Sequence, residues 1–283
     1  MSDKVYEIIT DQIIEQLEKG EIVWKKEWKS IGLPLRENGK EYRGINVFLL
    51  LARGYSNPYW LSYKKLTELG CKIKEGEQKK STIVVYWNWI RKTDENGKEK
   101  KIPFLRYYRV WNVSQLENVP KGKYEVKPVN PNFNPIQECE TIVEGYKEKP
   151  DIKEGDLASY NPKEDYVTMP KREMFTKETD YYSVLFHELG HSTGNAKRLD
   201  REGCKEVNFG SQTYSLEELI AEFTSAFLCG KAGIEQKTIE NSASYIKGWL
   251  KRLKEDKRFI VQACAKAQKS ADLILGKEGE KYE

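Results

Sequence analysis

The chain has 283 residues and a formal net charge of +4, from 48 Lys/Arg against 44 Asp/Glu, and 33% of its residues are charged, 39% hydrophobic and 12% aromatic. So many rings supply burial that offsets chain entropy, which excludes wholesale disorder, and the length suits two domains with cores of their own. The longest apolar runs, such as Val47–Ala52, fall far short of the ~18 residues of a membrane span, and the opening Asp3, Lys4 and Glu7 form no signal peptide. A cytoplasmic protein without membrane contact is expected. Cys71, Cys139, Cys204, Cys229 and Cys264 are odd in number, far apart and never in a C-x-x-C arrangement, so they read as reduced thiols.

The first element is a helix. Ser2 can cap it, Val5, Ile8, Ile9, Ile13 and Leu17 recur at helical spacing, and Gly20 ends it. A short helix follows Ser62, with Leu66 and Leu69 inward and Gly70 at its end. The period then changes. Thr82–Ile90 and Phe104–Val113 are β-branched and aromatic, and Asp94-Glu95-Asn96-Gly97 is a turn, so a long antiparallel hairpin is expected. Pro120, Pro128, Pro131 and Pro135, interleaved with Asn130, Asn132 and Asn134, read as a linker. Beyond it, helices are expected at about 179–193, 215–229, 238–253 and 258–275. The fold class is therefore α+β, with an N-terminal α+β domain over 1–120, a linker over 121–135 and a mainly helical domain over 136–283.

Both histidines of the chain lie in His187-Glu188-Leu189-Gly190-His191, an H-E-x-x-H. Four residues on an α-helix return to one face, so both imidazoles can reach one ion, and Glu188 can take a proton from a water beside it. A catalytic site of this kind needs a third protein ligand, and with no histidine left a carboxylate must supply it. Leu216-Glu217-Glu218-Leu219-Ile220-Ala221-Glu222-Phe223 provides one. Glu218 and Glu222 share a face among apolar neighbours, a costly place for two like charges unless a cation or a histidine answers them. Glu218 is expected as ligand and Glu222 as the outer carboxylate that holds a histidine. Ser215-Leu216-Glu217-Glu218 also matches a capping box, in which Glu218 would only close the helix start. Two imidazoles and a carboxylate suit Zn²⁺ first, with Mn²⁺ or Co²⁺ as alternatives. Tyr214, Tyr245 and Arg198 are the candidate donors to a developing oxyanion.

Charge and rings are unevenly spread. Residues 1–120 carry 22 Lys/Arg against 16 Asp/Glu, a net of +6, and six of the seven tryptophans, while residues 121–283 carry a net of −2. Cations interleave with rings at Trp24–Lys29, Tyr42–Asn46, Tyr59–Lys65 and Arg106–Trp111. Rings stack unpaired bases while Lys and Arg follow phosphates, a combination suited to single strands, although rings on strands are more often core.

The order and wording of these segments resemble antirestriction proteins of the ArdC type over nearly the whole chain. In the first half the resemblance rests on the opening helix with Gly20 and Trp24, Tyr42–Asn46, Trp60–Lys64 and Val110–Gln115. In the second it rests on His187–Gly194, Arg198-Leu199, Glu217–Phe227, Tyr245–Trp249 and Ala265–Asp272. It implies single-stranded DNA binding by an N-terminal domain shared with some plasmid conjugative primases, a zincin-like metallopeptidase domain, and protection of incoming DNA on a mobile element. It also implies Arg43, Asn46, Trp60, Lys64 and Arg109 as DNA contacts, with an unidentified restriction or DNA-bound protein as substrate. The family usually carries a histidine where this chain has Asn195. Two other readings are a DNA-dependent metalloprotease acting on DNA-bound proteins, and a DNA-coating module whose metal site is catalytically silent.

Overall fold

The computed structural model describes residues 2–22, 32–93, 99–125, 134–204, 212–236 and 242–277. Helix α1 (Ser2–Glu18) forms as its spacing predicts, with Val5, Ile9, Ile13 and Leu17 buried and Gly20 leaving the helix at φ +77°. Strand β1 (Leu35–Arg36) runs parallel to β2 (Tyr59–Ser62), which pairs antiparallel with β5 (Glu99–Asn112). The edge strand β4 (Thr82–Thr93) pairs with β5 without a slip from Thr82–Val110 to Thr93–Glu99, so the hairpin is the long one expected. Its turn, Asp94–Gly97, lies outside the described residues. Between β2 and β4 come α3 (Tyr63–Glu68), capped by the Ser62 hydroxyl on Lys65 N–H, and β3 (Lys72–Ile73), which pairs with β6 (Leu116–Glu117).

Helix α2 (Ile45–Leu51) is the apolar run that shows no period in the sequence. It has none because it is buried all round. Phe48 is fully enclosed and packs its ring 4.8 Å from Phe223 and 5.1 Å from Phe227, both from the C-terminal half. One apolar core therefore runs from Val5 to Ile274, and a second small cluster around Leu61, Trp111 and Tyr124 sits beneath α3.

Asn134 and Pro135 open a helix, α4 (Pro135–Gly145). The Asn134 carboxamide oxygen accepts from Ile136 and Gln137 N–H, and proline stands where a missing N–H costs nothing. Pro128 and Pro131 lie outside the described residues. Three short strands follow: β7 (Asp151–Glu154), β8 (Ser159–Asn161) and β9 (Tyr166–Met169), in the order β7-β9-β8. The C-terminal half thus carries a sheet beside its helices α5 (Glu178–Ser192), α6 (Gln212–Ala232), α7 (Ser242–Glu255) and α8 (Phe259–Ile274). No helix of the described residues is long and apolar enough to cross a membrane.

Candidate metal centre

Tyr182, Leu185, Phe186 and Leu189 bury one side of α5 and bring it against α6, whose Leu219, Ile220, Ala221 and Phe223 are also enclosed. The helices meet at Gly190. A β-carbon there would stand 3.2 Å from Ala221 Cα and from Thr224 Cβ, so the missing side chain sets how closely α5 and α6 approach.

That approach gathers His187, His191 and Glu218. The two Nε2 atoms are 3.1 Å apart, Glu218 Oε1 lies 3.4 Å from His191 Nε2, and Oε2 lies 3.6 Å from His187 Nε2. Donors each ~2.0–2.1 Å from one tetrahedral ion stand about 3.3 Å apart. The triangle fits such an ion in size and in chemistry. Burial disfavours the charged form of both rings, but Glu218 outweighs it, helped by Glu217 at His191 and by the Glu188 charge, so both histidine pKa values rise. Burial would likewise raise Glu218, yet the two rings hold it far below the usual carboxylate range. The pocket demands positive charge, and a divalent cation answers that demand.

Three buried glutamates on α6 divide the work. Glu218 faces the rings. Glu217 lies 3.6 Å from His191 Nδ1 and takes a forked pair of hydrogen bonds from Arg201. Burial would raise the Glu217 pKa, but Arg201 and His191 bring it down to about 2. Glu222 accepts from Gln236 at 2.9 Å. The carboxylate against His191 Nδ1 is Glu217, while the Glu222 charge adds to the rise at His187. Helix α6 begins at Gln212, so Ser215 is interior and the capping-box reading of Glu218 does not apply.

Sequence reasoning missed Arg201. Its guanidinium also donates to Thr193 Oγ1, Ser270 Oγ and the Gly190 carbonyl at 2.7–2.9 Å, tying the end of α5 to α6 and α8. Glu217 stands 16 residues further on, a separation no helical spacing reveals. Glu188 is buried on the same turn as the two histidines. Arg198 is spent on Asp165, Ser192 and Glu148, which removes it as an oxyanion donor. Asn195 holds the β8 loop by donating to Tyr160 Oη and the Pro162 carbonyl. Tyr214 and Tyr245 lie on α6 and α7, but their side chains are outside the described residues.

The expected DNA contacts scatter. Trp60 is only 2% exposed and belongs to the core. Asn46 donates to the Val85 carbonyl and accepts from Val85 N–H, covering the open edge of β4. Trp60 has no face left for a ligand, and both ends of the Asn46 amide are engaged by the Val85 backbone. Arg43 pairs with Asp272 on α8, beside a Gly44 N–H to Gln268 bond that joins the same helix. Lys64 and Arg109 are exposed, Arg109 with one bond to Ser81 Oγ.

Comparison with known proteins agrees with both halves. Residues 3–111 match the N-terminal domain of anti-restriction factor ArdC, and residues 137–266 match a zincin-like metallopeptidase family. The crystal structure of the antirestriction protein ArdC from plasmid R388, metal-free, is 37% identical and superposes with a TM-score of 0.78, covering 95% of this chain and 96% of that one. The chain belongs to the ArdC antirestriction family. A Mn(II)-bound structure of the R388 ArdC protein matches with the same TM-score at 34% identity, over 97% of this chain and 98% of that one. The uncharacterized protein y4eC of Sinorhizobium fredii is 31% identical over 98% of the chain and 93% of its own length. A DNA primase TraC of Escherichia coli is 32% identical over 96% of the chain, which spans only 20% of that much longer protein.

Proposed function

We propose that this ArdC-family chain holds single-stranded DNA with its N-terminal half and hydrolyses peptide bonds at one divalent metal, probing or clearing proteins that would act on incoming DNA. The observation that carries the peptidase reading is the triangle of His187, His191 and Glu218, drawn to the size of a metal's coordination face beside the buried Glu188. The Mn(II)-bound relative supports a divalent ion. The DNA reading is supported by the ArdC N-terminal match, the primase relative and the +6 charge of residues 1–120.

A metal ion at this site supplies Lewis-acid polarisation of a carbonyl and lowers the pKa of water. The chain does the rest. Glu188 takes the proton of the attacking water and returns it to the departing amine, so one carboxylate serves as base and then acid. Glu217, fixed by Arg201, stands against His191 Nδ1, which leaves Nε2 facing His187 and Glu218, where it would hold the ion. Tyr214 and Tyr245 are the candidate donors to the developing oxyanion.

The test is Glu188→Gln. It is expected to keep metal content, fold and DNA affinity while abolishing cleavage of DNA-bound protein by the metal-loaded chain. Cleavage at the wild-type rate in this variant would remove Glu188 from its role.

A further inference from the structure

The β4–β5 hairpin presents a face that the rest of the protein leaves partly open. Residues paired across a hairpin share a face, and so do alternate residues along a strand. The pairs Trp87–Leu105, Val85–Tyr107 and Ile83–Arg109 therefore place Trp87, Tyr107 and Arg109 together. Helix α1 covers part of this face, with the Tyr6 ring edge-on to Trp87 at 6.5 Å. It leaves Trp87 37% and Tyr107 46% exposed, and Arg109 exposed as well.

Between the hairpin, α1 and the end of α2 lies a groove of about 690 Å³, within the range of small-ligand sites. Ile8, Ile13, Leu49 and Ile83 form its apolar floor. Gln12 and Gln16 stand on one wall, and Arg53, Tyr107 and Arg109 on the others. Glu15 and Lys19 also line it, and they satisfy each other at 2.6 Å. What remains is two guanidinium groups, Arg53 donating to the Lys80 carbonyl and Arg109 to Ser81 Oγ, an open ring and two carboxamides.

We infer that this groove and the Trp87–Tyr107 face beside it form the seat of a single-stranded nucleic acid. The proposal rests on the DNA reading above and gives that reading a location. Each group has its use: an exposed ring takes a base face, guanidiniums take phosphates, and carboxamides can bond base edges. Trp87 and Tyr107 are diagonal neighbours, so they stand roughly 7–8 Å apart. That is about twice the ~3.4 Å rise of a duplex strand, so only a strand with its bases unstacked can lay one base on each ring. A duplex offers no base face to either.

The experiment is fluorescence anisotropy of a labelled oligothymidylate with the full chain over a salt series. The variants are Tyr107→Ala, Tyr107→Phe and Arg109→Ala in the groove, against Tyr63→Ala on α3. Tyr63 is an exposed ring on another surface of the N-terminal half, 62% exposed. Tyr107→Ala is expected to weaken binding about 10- to 100-fold, and Tyr107→Phe, which keeps the ring, to bind like wild type. Arg109→Ala should lower the salt slope by about 0.7, the loss of one phosphate contact on a single strand. The α3 variant should bind as wild type does. Wild-type-like binding by Tyr107→Ala, or loss confined to the α3 variant, overturns the groove while the DNA reading stands. No binding by the wild-type chain overturns both.

Discussion

Gly190→Ala should destabilise the protein, whereas Gly248→Ala should stabilise it. Both glycines are helical, in α5 and α7, and replacing glycine by alanine inside a helix ordinarily gains up to about 1 kcal/mol. Nothing lies within 4 Å of a β-carbon at Gly248, so that gain is expected in full there. At Gly190 the new methyl meets Ala221 Cα and Thr224 Cβ at 3.2 Å and the Ala221 carbonyl oxygen at 3.3 Å. Two of these three atoms are backbone, which cannot swing aside as a long side chain would, so α5 and α6 must separate by a few tenths of an ångström. Overpacking of this kind costs about 1–3 kcal/mol, and the helical gain offsets about 1 kcal/mol of it. The net loss of up to ~2 kcal/mol corresponds to a fall in Tm of up to roughly 8 °C for a chain of this size. The same separation stretches the distance from Glu218 to the two rings, and metal sites tolerate only about 0.2 Å of misfit. Metal affinity should therefore drop at least about tenfold. Thermal melts in chelator and chelator-competition titrations measure the two effects separately. A Gly190→Ala protein as stable as Gly248→Ala, with wild-type metal affinity, would refute the argument that this glycine sets the site.

Glu217→Gln should lower metal affinity about 10- to 100-fold in the same competition assay, because it removes the group that orients His191, and unchanged affinity would assign Glu217 a purely structural part. The Glu217 carboxyl is held near pH 2 in the folded chain against an ordinary value of 4.5, so its stabilisation is complete above pH 4.5 and is lost as the pH falls from there through about 2. Urea midpoints should thus decline less steeply over that window in Glu217→Gln than in wild type. Phe48→Ala removes a fully buried ring that joins the two halves and should cost about 3–5 kcal/mol. It should do so in a single transition seen by probes in either half, and two separate transitions would contradict the continuous core.

How legible each part was depended on whether its cause lay within one element. H-E-x-x-H could be read because four residues make one helical turn. The meeting of Glu218 with the two rings could be read because a carboxylate among Leu219, Ile220 and Phe223 calls for positive charge. The place of Glu217 against His191 could not, because it turns on Arg201, a residue of another segment that claims Glu217. The hairpin declared itself by period and composition. Helix α2 did not, since a segment buried on all sides carries no period, and strands β7 to β9 are too short to show one. Rings and amides in the basic half misled for a related reason. Composition does not separate Trp60, which is core, from Tyr107, which faces solvent; only the pairing of strands does.

The most direct test of the account is the metal stoichiometry of the purified chain, measured by isothermal titration with Zn²⁺ or Mn²⁺ for wild type, Glu188→Gln, Glu218→Gln and His191→Ala. The account predicts one ion per chain in wild type and in Glu188→Gln, and loss of that site in Glu218→Gln and His191→Ala. Full binding by Glu218→Gln, or no binding by the wild-type chain, would contradict it.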